Sequence, residues 1–179
     1  MGDDGHELEF GCFLTPRADR PAELLDLATL ADEIGLDLLS VQDHPYQPLF
    51  LDAWTLLSVL AARTLRIRVL PYVANLPLHP PAVLARSVAS LDILSGGRVE
   101  LGLGSGAFWD GIVAMGGRRL APGESGEALE EAIGVLRALW HPGDPVHLDG
   151  THYPVDGAAP GPFLMHDVGI WLGASLRPR

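Results

Sequence analysis

Short apolar runs that alternate with stretches of helical period constrain this chain more than any other feature. Residues 9–14, 36–41, 67–73 and 168–172 are such runs, and residues 98–103 alternate into another. Apolar runs of about four to eight residues, rich in β-branched side chains, predict strands buried on both faces of a parallel sheet. Between them lie amphipathic helices. In the first, Leu24, Leu27, Ala28, Ala31 and Ile34 share a face, with Pro21 in the opening turn and Gly35 beyond the last. Asp52 is a good N-cap for the second, which carries Trp54, Leu57, Leu60 and Ala61 to Arg63. Pro80 and Pro81 open the third, over 82–94, and Gly96-Gly97 end it. The fourth, over 124–140, turns Leu129, Ala132, Ile133, Leu136 and Leu139 inward.

Parallel strands joined by helices take right-handed crossovers, so the choice is between a doubly wound sheet and a barrel. A doubly wound nucleotide-binding domain places glycines after its first strand. Here that turn reads Thr15-Pro16-Arg17-Ala18-Asp19. A barrel gathers polar and small residues at successive strand C-termini. This chain does so at Thr15, at Asp43-His44, at Ala74-Asn75 and at Gly104-Ser105. The expected fold is therefore α/β, the N-terminal part of a (β/α)8 TIM barrel. It has about five parallel strands and a small hairpin over 145–155, with Asp149-Gly150 as its turn. Residues 1–8 read as a polar tail and 9–179 as one partial barrel domain. A full barrel takes eight strands and roughly 250 residues. The 179 residues here are expected to stop short of that, leaving apolar sheet edges that invite a homodimer or other self-association.

Composition narrows the partners. A net charge of -11 argues against nucleic acid and anionic membrane surfaces. No run approaches the ~18 apolar residues of a membrane span. The N-terminus is acidic where a signal peptide is basic, so a cytoplasmic location is expected. The single cysteine, Cys12, rules out an internal disulfide framework and reads as a buried, inert thiol. The histidines at 6, 141, 147, 152 and 166 lack metal-ligand spacing, and no metal site is expected.

Three strand ends carry candidate chemistry. At Gly104-Ser105-Gly106 the chain has almost no side-chain bulk. That bareness suits a flat ligand against the backbone, or simply a tight turn. Asp43-His44 offers an imidazole able to trade a proton near neutral pH, or a surface turn before Pro45. Asn75 is either a ligand-facing amide or a loop amide bonded to its own backbone. His79, between Leu78 and Pro80, reads as a helix-start residue.

Four motifs together resemble one family, the bacterial-luciferase-like flavin-dependent oxidoreductases. They are Val-Gln-Asp-His at 41–44, Asn-Leu-Pro-Leu-His-Pro-Pro-Ala-Val-Leu-Ala-Arg at 75–86, Leu-Asp-Ile-Leu-Ser-Gly-Gly-Arg-Val-Glu-Leu-Gly-Leu-Gly-Ser-Gly at 91–106, and Gly-Ile-Trp-Leu-Gly-Ala at 169–174. The resemblance covers residues 9 to about 174. It implies a barrel binding FMN or the deazaflavin coenzyme F420 at its C-terminal mouth, with the Asp-His pair favouring F420. It also implies a small organic substrate, oxidised with oxygen or by hydride transfer. Asp43 and His44 would face the cofactor ring, with His44 the proton donor or acceptor. Pro71, Tyr72, Val73 and Ala74 match the third-strand bulge in which members often carry a non-prolyl cis peptide, at any of its bonds, with Tyr72, Val73 and Ala74 against the cofactor and Asn75 just after. Gly104, Ser105, Gly106 and Asp110 would line the cofactor, and Gly173 and Ala174 its phosphate end. Phe108 and Trp109 would wall the substrate pocket or belong to the core. Ala107 stands where sugar-phosphate dehydrogenases of the deazaflavin branch carry an acidic catalyst. The alternative is a non-catalytic relative that binds flavin weakly or not at all.

Overall fold

The computed structural model describes residues 8–173. The expected polar tail, Leu8 excepted, and Ala174 lie outside the described residues. Five parallel strand positions follow one another round a curved sheet. They are β1 (Gly11–Leu14), β2 (Leu38–Val41), β3 (Arg68–Pro71) continued by β4 (Ala74–Asn75), β5 (Leu101–Gly104) and β8 (Ile170–Gly173). β1 pairs with β2 and β2 with β3; β4 then pairs with β5, and β5 with β8. A bridge from Val69 to Val99 joins the two groups of strands.

The connecting helices are α1 (Pro21–Glu33), α2 (Ala53–Arg63), α3 (Pro81–Ser95) and α5 (Pro122–Trp140), and a short α4 (Trp109–Ala114) follows β5. Their ends are written locally. Asp52 caps α2 by accepting from Thr55 N at 2.8 Å, and Gly96 ends α3 at φ 72°. The core lies between the sheet and these helices. Leu39, Val41, Val69, Leu101 and Leu103 point outward from the strands and are wholly buried against Leu57, Leu60, Val88, Ala132 and Leu136. Trp140 Nε1 donates to Ala85 O at 3.0 Å and ties α5 to α3. Phe13, Tyr72 and Trp171 stand exposed on or beside the sheet. Phe13, Tyr72 and Trp171 also line an open cleft of about 400 Å³ with Gly11, Leu38 and Ser40.

Three expectations change. The third strand does not run unbroken over 67–73, because the chain bulges at Tyr72 and Val73 before pairing resumes as β4. Cys12 is half-buried rather than buried. The hairpin of β6 (Val146–Leu148) and β7 (Val155–Ala158) exists, but not with a two-residue Asp149-Gly150 turn. Its loop is pulled onto α5 by the Glu131 carboxylate, which accepts from Thr151 N, His152 N and Tyr153 N at 3.0, 2.8 and 3.0 Å. A carboxylate twenty residues back set that loop.

Candidate functional site

The C-terminal ends of β2, β4 and β5 meet. Asp43, just past β2, is 2% exposed. Its Oδ2 accepts from Asn75 N at 2.9 Å and lies 2.7 Å from His79 Nε2. One buried carboxylate therefore ties the end of β2 to the end of β4 and to the residues entering α3. Burial pulls the His79 pKa down, but the Asp43 hydrogen bond and the charges of Asp43 and Asp52 outweigh it and raise the pKa overall. His79 does stand before α3, and it also belongs to this network. Its partner is 36 residues away in sequence, so no local pattern marks it. Trp54 meets the His79 ring edge to face, with centroids 6.4 Å apart.

His44 is half-buried beside this brace. Its Nδ1 lies 2.7 Å from Tyr46 Oη, and its ring meets Phe108 nearly edge to face, centroids 5.6 Å apart. Burial pulls its pKa below the ordinary value, while the Asp43 charge opposes that shift only in part. The imidazole is therefore neutral at neutral pH and able to accept a proton. Asn75 is 6% exposed, and its Oδ1 is buried with no hydrogen-bond partner. An unpartnered buried polar group costs about 1–3 kcal/mol, so this atom is the strongest local sign of a ligand.

The glycines have a partner in the fold. The Tyr72–Val73 peptide bond is cis, and the Val73 side chain lies over β5 and β8. A Cβ on Gly104 would stand 2.5 Å from Val73 Cγ2, and one on Gly173 3.0 Å from it. A Cβ on Gly102 would stand 2.2 Å from Pro71 O. The bare surface thus receives the bulge. Gly106, at φ 108°, leaves room for the Trp109 ring and Pro77, and a Cβ there would be 2.7 Å from the indole.

The structure brings Asp43, His44, Asn75 and Gly104 to one rim, with Asn75 in register with Gly104 and Gly104 with Gly173. Ser105 is half-buried there, and Ala74 is buried beneath. It does not bring Asp110 into that network. Asp110, its side chain 99% exposed, pairs with Arg119 on the surface. Phe108 takes φ 52°, a left-handed conformation uncommon outside glycine, and stays exposed next to His44. Its position was legible as an aromatic after the glycines; its backbone was not.

The family model for luciferase-like monooxygenases matches residues 8–178. The chain belongs to the luciferase-like monooxygenase family. Among its relatives are two proteins named F420-dependent glucose-6-phosphate dehydrogenase. The one from Nocardia farcinica is 36% identical over 177 residues, covering 89% of this chain and 48% of the relative. The one from Microbacterium testaceum is 34% identical over 175 residues, covering 94% and 51%. A monooxygenase of known structure, RslO1 from Streptomyces bottropensis, is 28% identical with a TM-score of 0.79 over 92% of this chain and 53% of its own. An F420-dependent secondary alcohol dehydrogenase shares the fold with a TM-score of 0.81 at 23% identity. The chain spans about half the length of the curated relatives it matches. The five parallel strands are thus part of a luciferase-like TIM barrel. No helix among the described residues is long and apolar enough to cross a membrane.

Proposed function

We propose that this chain forms the proton-handling side of a deazaflavin- or flavin-dependent oxidoreductase acting on a small organic substrate, with F420 the favoured cofactor over FMN. The observation that carries the reading is the Asn75 carboxamide, buried and unpartnered at the rim where His44 stands. Both cofactors carry a pyrimidine ring edge of N–H and carbonyl groups, which a carboxamide complements. When bound, the cofactor supplies the two-electron carrier, for hydride transfer or, with FMN, oxygen insertion.

In this reading Asn75 holds the ring edge, the 72–74 bulge supports the ring, and Gly104, Ser105 and Gly106 form the adjoining rim. Gly173 stands toward the phosphate end. Asp43 acts from behind, because its Oδ2 already serves Asn75 N and His79. His44 takes or gives the substrate proton at Nε2, since Nδ1 is engaged by Tyr46. A neutral imidazole is suited to accept it. The named relatives favour a dehydrogenase; Ala107, a methyl beside the site, does not supply the acid of the sugar-phosphate enzymes.

Val73 favours the second reading, a non-catalytic relative. Its side chain already covers the glycines that a ligand would otherwise explain. Titration of the chain with F420 and separately with FMN, followed by fluorescence, divides the two. Saturable binding, weakened about tenfold in Asn75→Ala as for one lost hydrogen bond, supports the oxidoreductase. No binding to either supports the non-catalytic relative. Self-association through β1 and β8 belongs to the same proposal, given the exposed Phe13 and Trp171. Sedimentation equilibrium tests it, and a monomer at every concentration would overturn it.

A further inference from the structure

Tyr46 is held more firmly than a loop tyrosine requires. Its hydroxyl oxygen is 2.7 Å from His44 Nδ1. Its ring lies against α4 at Gly111, where a Cβ would stand 2.7 Å from Tyr46 Cγ and 2.8 Å from Cδ2. Gly111 is needed for space there. Phe108 closes the other side, its centroid 6.3 Å from the Tyr46 ring and 5.6 Å from the His44 ring. Burial, with the Asp43 charge, raises the Tyr46 pKa, so the group stays a neutral phenol.

We infer that Tyr46 is a positioning residue that fixes the His44 tautomer, with Nδ1–H donating to the phenol oxygen and Nε2 left as the base. The inference rests on the proton-handling reading of His44. A phenol oxygen accepts from Nδ1–H both before and after Nε2 gains a proton, so one arrangement serves both protonation states. The partners of the ring are Tyr46, the neutral Phe108 from the start of α4, and the Asp43 carboxylate, which acts through charge. None of them competes for Nδ1 among the described residues. Tyr46 touches neither substrate nor cofactor in this assignment and acts through His44.

The test is nitrogen-15 NMR of the histidine side chains in the whole chain, with His44 assigned by its loss in His44→Gln. In the wild type His44 is expected as the Nδ1–H tautomer. In Tyr46→Phe the Nε2–H tautomer should appear, and the His44 titration midpoint should fall. Gly111→Ala keeps the hydroxyl but displaces the ring, and should give the same signature; thermal unfolding establishes that both variants are folded. A wild-type His44 in the Nε2–H form would overturn the assignment, as would a folded Tyr46→Phe with unchanged tautomer and midpoint. This readout needs no cofactor. Failure of F420 and FMN to bind the wild type overturns the proposed function instead, and a tautomer change in Tyr46→Phe still supports the positioning role.

Discussion

At the N-terminal ends of the barrel strands, charged side chains close on backbone groups. Asp32, at the end of α1, accepts from Leu65 N, Arg66 N and Ile67 N at 2.8, 3.0 and 2.7 Å. Arg98, ahead of β5, donates to Ser95 O, Ile67 O and Ala61 O at 2.8, 3.0 and 2.7 Å. Asp92 takes Met165 N at 2.6 Å, and Glu100 takes Gly169 N at 2.7 Å. At the C-terminal ends the polar groups are fewer and less complete. Asp43 and His79 pair, His44 leans on Tyr46, and Asn75 Oδ1 has no partner. One end uses several charged groups to stitch loops together; the other has one such clasp, Asp43 on Asn75 N, beside a histidine and a carboxamide oxygen that bond no backbone group. That division is the one a barrel makes between stability and chemistry.

The comparison predicts its largest effect at the stitched end. Asp32→Ala leaves one buried and two part-buried backbone donors without their carboxylate acceptor and should cost about 3 kcal/mol, as for loss of hydrogen bonds to a charged group. Urea unfolding measures it. A loss under about 1 kcal/mol would dissolve the contrast between the two ends.

The glycines of the rim come next. Gly104→Ala should cost about 1–3 kcal/mol by overpacking against Val73, and Val73→Ala in the same chain should recover most of it. Gly102→Ala meets the Pro71 carbonyl instead, so Val73→Ala should not rescue it. Failure to rescue Gly104→Ala would mean that Val73 is not what that glycine accommodates, and full rescue of Gly102→Ala would mean that the Pro71 carbonyl is not what bars a side chain there.

A smaller effect separates His79 by pH. Folding raises its pKa above the ordinary 6.5, so the native chain binds the extra proton over the interval between the two values. The stability contributed is full below 6.5 and is lost as pH rises through the raised value. In His79→Gln, unfolding free energies measured from pH 6 to 9 should lose that downward slope; a slope equal to the wild type's would place its origin elsewhere. Asp110→Ala should do least of all. Its exposed pair with Arg119 predicts an unchanged melting temperature and unchanged cofactor affinity, and weakened binding would return Asp110 to the rim.

Much of this was local and therefore legible. Apolar runs and helical periods depend on neighbours a few residues apart, and so do the Pro21 start, the Asp52 cap and the Gly96 stop. They determined parallel strands, helices between them, and which residues end the strands. The rim residues His44, Asn75 and Gly104 could be named because a strand end is a position in a pattern. Their partners could not be named in the same way. Asp43 meets His79 across 36 residues, and His166 meets Asp92 across 74. The Glu131 clasp, the Val73 side chain over three glycines and the Gly111 gap behind Tyr46 likewise exist only once the sheet has curved. Periodicity records which way a side chain faces; what it then touches is set by packing between elements, and tertiary structure alone decides that.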